Sequence, residues 1–172
     1  MSGTGYAPPE SVSSVAIVGT GVIGAGWAAH FLRMGFDVTA WDPGDGASER
    51  LAASVRQAWP VLEKLGLRPG ASLSRLRFAG SLAEAVGGAG FVQESAPENL
   101  ELKTALLAEL DAATPPGVVI GSSTSGFMMS DMAAAAARTP GRLVAGHPFN
   151  PPYLIPLVEI AGGRDTDPAA VA

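Results

Sequence analysis

The 172-residue chain contains no cysteine. That excludes disulfides, cysteine nucleophiles and thiolate metal sites, and it suits a reducing compartment. No metal site is expected. Basic residues are few as well: 11 Lys and Arg stand against 16 Asp and Glu, for a net charge of -5 and a pI near 4.9. Nucleic-acid-binding domains usually carry a basic patch, so no nucleic-acid partner is expected. Long apolar runs are missing too, and nothing is long enough to cross a bilayer. The alanine-rich stretch 133–137 is short and flanked by Asp131 and Arg138. The opening MSGTGYAPPESVSS lacks the basic and apolar regions of a secretory signal. The expectation is a cytoplasmic protein without a membrane partner.

The chain does have apolar bulk: 47% of its residues are hydrophobic and 16% charged, enough for one globular domain with a core. Residues 1–13 contain Gly, Pro and Ser and read as a flexible tail. SVAIVG then reads as a strand buried on both faces. WAAHFLRMG has helical spacing and closes at Gly35, and His30 within it reads as structural. FDVTAWD is a second strand. A helix from about Ala47 to Leu65 follows, in which Pro60 should kink or break the helix. LRFAG, GFVQES, GVVIGSSTS, RLVAGH and PLVEIAG read as further strands. SLAEAV, the segment begun near Asn99, and SDMAAAAAR read as helices, the first with Ser81 and Glu84 placed for a capping box. Strands alternating with helices through short Gly/Pro turns specify an α/β fold with a Rossmann-like, doubly wound, mostly parallel sheet.

Gly19-Thr20-Gly21-Val22-Ile23-Gly24 lies where the first strand meets the first helix. Glycines at these spacings permit a tight turn, backbone approach to a pyrophosphate and close packing of helix on strand. The free N–H groups of Val22, Ile23 and Gly24 would face the phosphates. Asp42 ends the second strand 18 residues past Gly24, where a carboxylate accepts from the adenosine ribose hydroxyls and repels a 2′-phosphate. The cofactor expected is NAD. Asp42 before Pro43 also suits a simple turn.

QESAPENLELK, GSSTSGF and GHPFNPPYLIPLVEI, in that order after the glycine loop, resemble the 3-hydroxyacyl-CoA dehydrogenase superfamily in its nucleotide-binding domain. The wording is most similar to the L-carnitine dehydrogenase branch, with the L-gulonate 3-dehydrogenase (lambda-crystallin) branch nearby. The resemblance implies His147 as the base that takes the proton of a substrate 3-hydroxyl, and Glu159 as its carboxylate partner. It implies Ser125 near that hydroxyl, Asn150 in the surrounding shell, and Glu98 and Lys103 on the cofactor side of the cleft. Plainer roles stand beside these: Ser125 as a cap, Asn150 as a turn residue, Glu98 and Lys103 as helix charges. The chemistry itself asks for a base with a pKa near neutrality, which histidine supplies. A carboxylate on the other ring nitrogen would fix the tautomer.

The resemblance further implies residues 14–161 as the dinucleotide-binding domain, 162–172 as the start of a linker, and a helical C-terminal domain and a homodimer in the full-length enzyme. Ser123-Thr124-Ser125 replaces the Asn-Thr-Ser of the acyl-CoA enzymes, and Pro148-Phe149 replaces a bulky pair. Both differences point to a small hydroxy acid. For the trimethylammonium group of carnitine, Phe127, Phe149 and Tyr153 offer aromatic faces. L-gulonate or 3-hydroxyacyl-CoA oxidation, and a non-catalytic dinucleotide-binding module, are the alternatives.

Overall fold

The β-branched run at the start of the first strand is long enough to cross a sheet once, and the glycines after it let the chain turn straight into a helix. The computed structural model describes residues 5–172. In chain order it contains β1 (Ser14–Val18), α1 (Val22–Arg33), β2 (Asp37–Trp41), α2 (Ala47–Leu65), β3 (Leu76–Phe78), α3 (Leu82–Val86), β4 (Phe91–Glu94), α4 (Leu100–Ala113), β5 (Val119–Ser122), α5 (Met129–Met132), β6 (Leu143–Pro148), β7 (Val158–Gly162) and α6 (Pro168–Val171). The strands form one sheet in the order β3-β2-β1-β4-β5-β6-β7. All neighbours are parallel except β6 and β7. The strand order reverses between β1 and β4, and in open α/β sheets that reversal leaves a crevice at the carboxyl ends of the strands.

Successive strand residues face opposite layers. Ala16 and Val18 of β1 join Leu107, Leu110, Ile120 and Leu143 in one core. Val15 and Ile17 join Leu32, Leu51, Val55 and Leu62 on the other side, beneath α1 and α2. Each Val, Leu or Ile among them contributes roughly 1.5–3 kcal/mol on burial.

Local signals are met at several ends. Gly35 follows α1 with φ +87°, the left-handed conformation that glycine adopts without a steric penalty. Asn99 caps α4 by accepting from Leu102 N–H at 2.8 Å. Ser81 accepts from Glu84 N–H at 3.2 Å, but the Glu84 carboxylate reaches back to Gly80 N–H at 2.9 Å instead of that of Ser81.

Two helices differ from expectation. Pro60 lies inside α2 without ending it. The carbonyl it deprives of a partner belongs to exposed Arg56, which water can solvate, while Val55, Ala58 and Leu62 hold both halves on the core. SDMAAAAAR is not one helix: α5 ends at Met132 and a single 3-10 turn covers Ala133–Ala135. The backbone beyond is captured by the buried Asp111 carboxylate, which accepts from Arg138 N–H at 2.7 Å and Thr139 N–H at 3.0 Å. Pro140 then bars continuation.

The tail expected over residues 1–13 lies partly outside the described residues; from residue 5 it includes a 3-10 turn, Pro9–Ser11. Residues 162–172 fold back on β6, with Thr166 Oγ1 donating to Leu143 O at 2.8 Å and Asp167 N–H to Gly141 O at 2.8 Å.

Asp111 on α4 also pairs with Arg142, at 3.0 Å, both side chains 1% exposed. The guanidinium donates besides to the carbonyls of Asp111, Thr114 and Pro115. Removing one partner of such a pair strands a buried charge. Asp111→Ala should therefore cost about 3–5 kcal/mol in urea unfolding, and the double replacement Asp111→Leu with Arg142→Met should recover much of it. A loss under 1 kcal/mol for Asp111→Ala would contradict the role given to the pair.

Candidate functional site

The cleft opens at the strand ends, where the order reverses. It holds about 420 Å³ and is lined by the glycine loop, Asp42, residues 95–98, Ser123, Ser125 and His147.

Gly19 has φ +87°, and a Cβ there would stand 2.7 Å from Ala96 N. A Cβ at Gly24 would lie 1.9 Å from Gly19 O, so only glycine lets α1 close on the loop. Gly21, the N-cap, has open space around it and no side-chain cap. The first-turn N–H groups of α1 therefore face the cleft without a side-chain acceptor, in the positive end of the helix dipole. Val22 stands in the cleft mouth, 76% exposed. These features fit a dinucleotide pyrophosphate.

Asp42 does two things. Its Oδ2 accepts from Thr20 N–H at 2.7 Å and Thr20 Oγ1 at 3.1 Å, and its Oδ1 from Gly44 N–H at 2.8 Å. The carboxylate thus pins the glycine loop to the turn after β2 and still borders the cleft. Arg50, in the first turn of α2, curls back over that turn and donates to Asp45 O at 2.5 Å.

Glu94, Lys103 and Glu98 form the floor. Lys103 is buried, with Nζ 2.8 and 3.1 Å from the Glu94 oxygens and 3.1 Å from Ala96 O. Glu94 also accepts from Ala96 N–H at 2.6 Å and from the Ser122 hydroxyl. Glu98 Oε2 lies 3.6 Å from the Lys103 ammonium. Its Oε1 gathers Thr124 Oγ1 at 2.7 Å, Ser125 N–H at 3.0 Å and Gly126 N–H at 3.3 Å. Lys103 thus lies beneath the cleft and not on its wall, while Glu98 holds the loop that carries Ser125. Burial alone would raise the Glu98 pKa, but the Thr124 and Ser125 hydrogen bonds, the Lys103 charge and the Gly126 N–H outweigh it and hold the carboxyl below 4.5.

His147 is at the carboxyl end of β6. Its Nδ1 lies 3.3 Å from Ser123 O. A carbonyl oxygen only accepts, so the neutral ring carries its proton on Nδ1 and leaves the Nε2 lone pair free. Glu159 is its direct register partner on β7. Its side chain is exposed and among the described residues makes no ion pair or hydrogen bond with the imidazole; the Ser123 carbonyl occupies the nitrogen expected for it. Asn150 is exposed in the turn after β6, ahead of Pro151, outside the cleft lining. The structure therefore brings Gly19, Gly21, Val22, Ile23, Asp42, Glu98, Ser125 and His147 to one cleft, with Gly24 and Lys103 behind it.

Of the aromatic candidates, Phe149 is exposed with its ring centroid 6.3 Å from that of His147. Phe127 and Tyr153 pack against the two cores. His30 is packed against Trp27 and Phe31 at ring centroids of 6.1 and 5.7 Å; burial, then Arg33, lowers its pKa.

Ser123, Ser95 and Gln93 join this network, through hydrogen bonds of 2.8 and 2.9 Å to the Ser123 hydroxyl, without standing out in the sequence as site residues. A glutamine amid the apolar letters of GFVQES was the available signal, because a buried amide has to be matched by hydrogen bonds.

Residues 14–172 match the family described as 3-hydroxyacyl-CoA dehydrogenase, NAD binding domain. The chain is 66% identical over 163 residues to an L-carnitine dehydrogenase of Streptomyces griseus, covering 95% of this chain and 48% of that protein. It is 54% identical over 160 residues to that of Pseudomonas aeruginosa, covering 93% and 50%. The chain spans about half the length of these relatives. A crystal structure of 3-hydroxybutyryl-CoA dehydrogenase from Escherichia coli K12 superposes with a TM-score of 0.84 at 30% identity, covering 94% of this chain and 34% of that one. A 5-formyl-3-hydroxy-2-methylpyridine 4-carboxylic acid 5-dehydrogenase, described as an NAD+-dependent dismutase, gives 0.84 at 32% identity, covering 93% and 52%.

Because the folded Glu98 pKa is depressed, its ionised form stabilises the fold above about pH 4.5, and that contribution is lost as pH falls through the lowered value. Urea midpoints of the wild type and Glu98→Gln should differ by a constant amount near neutrality and converge below pH 4.5. A pH-independent difference would show that Glu98 does not hold the loop as a carboxylate.

Proposed function

Since the chain belongs to the 3-hydroxyacyl-CoA dehydrogenase family through its NAD-binding domain, we propose that the protein oxidises the 3-hydroxyl of a small hydroxy acid with NAD, and that this acid is L-carnitine. One observation carries the reaction type: His147, with Nε2 free, stands in the same cleft as the glycine loop and Asp42. The substrate follows from relatives at 66% and 54% identity named L-carnitine dehydrogenase.

When bound, the nicotinamide of NAD supplies the hydride acceptor. The chain's own residues do the rest. Amides of Val22 and Ile23 at the start of α1 bind the pyrophosphate, and the Asp42 carboxylate accepts from the adenosine ribose hydroxyls. His147 Nε2 removes the hydroxyl proton as the C–H bond breaks, so that no alkoxide has to form in isolation. The Ser123 carbonyl holds the Nδ1 proton of the resulting imidazolium, and Glu159, the histidine's register partner on the neighbouring strand, adds a negative charge nearby without taking that nitrogen. Ser125 lies at the cleft wall on the loop that Glu98 holds and donates to the substrate oxygen. Asn150 completes the shell from the β6–β7 turn, and Lys103 acts from behind, by fixing Glu98 and Glu94. Exposed Phe149 beside His147 offers its face to the trimethylammonium group. A homodimer and a cytoplasmic location belong to the same proposal.

NADH formation with L-carnitine, L-gulonate and 3-hydroxybutyryl-CoA tests it, with L-carnitine expected to give the highest kcat/KM. His147→Gln should lower kcat by about 10²–10⁴-fold while NAD affinity is kept. Full activity in His147→Gln would remove the base, and faster turnover of 3-hydroxybutyryl-CoA would remove the substrate. NAD binding with no turnover of any of the three would leave a non-catalytic dinucleotide-binding module.

A further inference from the structure

Gln93, on β4, is 2% exposed and takes no part in lining the cleft. Its Nε2 lies 2.9 Å from Ser123 Oγ, 3.4 Å from Gly146 O and 3.5 Å from Glu94 O. Two carbonyl oxygens around that atom decide how the amide is turned, because only its NH₂ can face them. The other end, Oε1, lies over Gly121 of β5, where a Cβ would approach it to 2.9 Å. Glycine at 121 is the gap through which the amide of β4 crosses β5 to reach β6.

The crossing occurs where the sheet needs it. Parallel pairing of β5 with β6 ends at Ser122↔Ala145, so the next two residues, Ser123 and Gly146, lie beyond the ladder. The Gln93 amide donates to both and stands in for the missing bond. Ser123 is held from two more sides, by Trp27 Nε1 at 3.3 Å and Ser95 Oγ at 2.8 Å. Indole and amide can only donate here, so they fill the lone pairs of Ser123 Oγ, and its own proton goes to Ser95. The hydroxyl is thus fixed in place and in direction. Ser123 also owns the carbonyl that meets His147 Nδ1, and Gly146 is the residue to which His147 is joined.

We propose that Gln93 is a positioning residue for His147: by clamping Ser123 and Gly146 it presents the Ser123 carbonyl to Nδ1, keeps the ring proton there, and leaves Nε2 as the free base. This rests on the assignment of His147 as base made above. Gln93 does not line the cleft; it acts through the Ser123 hydroxyl and the Gly146 carbonyl, on the two residues that flank the imidazole.

Long-range ¹H–¹⁵N correlation of the imidazoles reads the tautomer directly. It is recorded on the 172-residue chain at about pH 9, above the ordinary histidine pKa of about 6.5. His30 and His147 are the only two rings to assign, and His30 in α1 reports whether the fold is intact. The wild type should show His147 as the Nδ1–H form alone. Gln93→Leu removes the amide, and Gly121→Ala keeps Gln93 but crowds its Oε1. Each should turn the His147 pattern into that of a mixture of tautomers while the His30 pattern stays. A wild-type Nε2–H pattern overturns the proposal, and so does a folded Gln93→Leu chain that keeps the wild-type pattern. If Gln93→Leu does not fold, the same criterion passes to Gly121→Ala. No substrate or cofactor is present, so a failed turnover assay strikes the proposed function and not this result, and the reverse holds equally.

Discussion

Glu94 is a carboxylate with no exposure at the carboxyl end of a central strand. An ionised group taken that far from water is tolerable only if its oxygens are matched, because stranding it would use up a large part of the stability a domain has in reserve. The Lys103 ammonium, the Ala96 N–H and the Ser122 hydroxyl match them. Each belongs to a different piece of chain: the first turn of α4, the turn after β4, and the end of β5. One desolvated charge therefore holds three segments in register, and all three border the cleft. Glu98 carries the arrangement outward, from Lys103 to the loop of Ser125.

A second constraint is steric. The missing Cβ atoms of Gly19 and Gly24 let the glycine loop lie against Ala96 and let α1 close on the loop. The charged floor and the glycine loop thus meet at the same backbone, residues 95 and 96. Ser95 N–H pairs with Val18 O at 2.7 Å, and Gly19 N–H with Trp41 O at 2.9 Å. The result is a rim held by hydrogen bonds and close backbone packing at the point where the strand order reverses, which suits a dinucleotide in the crevice there.

Most of this fold was legible before any coordinates. The strand and helix alternation, the glycine spacing, the cap at Ser81 and the helix start near Asn99 are local, and local signals survive into the structure. The failures were tertiary. Nothing near SDMAAAAAR announces that a carboxylate 27 residues upstream, Asp111, will capture Arg138 N–H and unwind the helix that alanine favours. Nothing around Pro60 says that its orphaned carbonyl will face solvent and cost little. Lys103 and Glu98 stand close together in sequence, yet which of them is buried depends on where the chain folds Glu94 and Ser122 beneath the cleft.

By itself the sequence indicated the kind of site to expect. A glycine loop ahead of a helix, an acidic residue closing the second strand, and a histidine ending a later strand carry their chemistry in their type and spacing. Tertiary structure alone decided which atom faces which. The proton of His147 is assigned to Nδ1 by the carbonyl of Ser123, and not by Glu159, because strands β5 and β6 part just there and Gln93 reaches across Gly121 to hold them. Hydrogen-bond partners between strands 24 to 53 residues apart are set by register and by the room a missing side chain leaves, and neither is written in any local stretch of the chain.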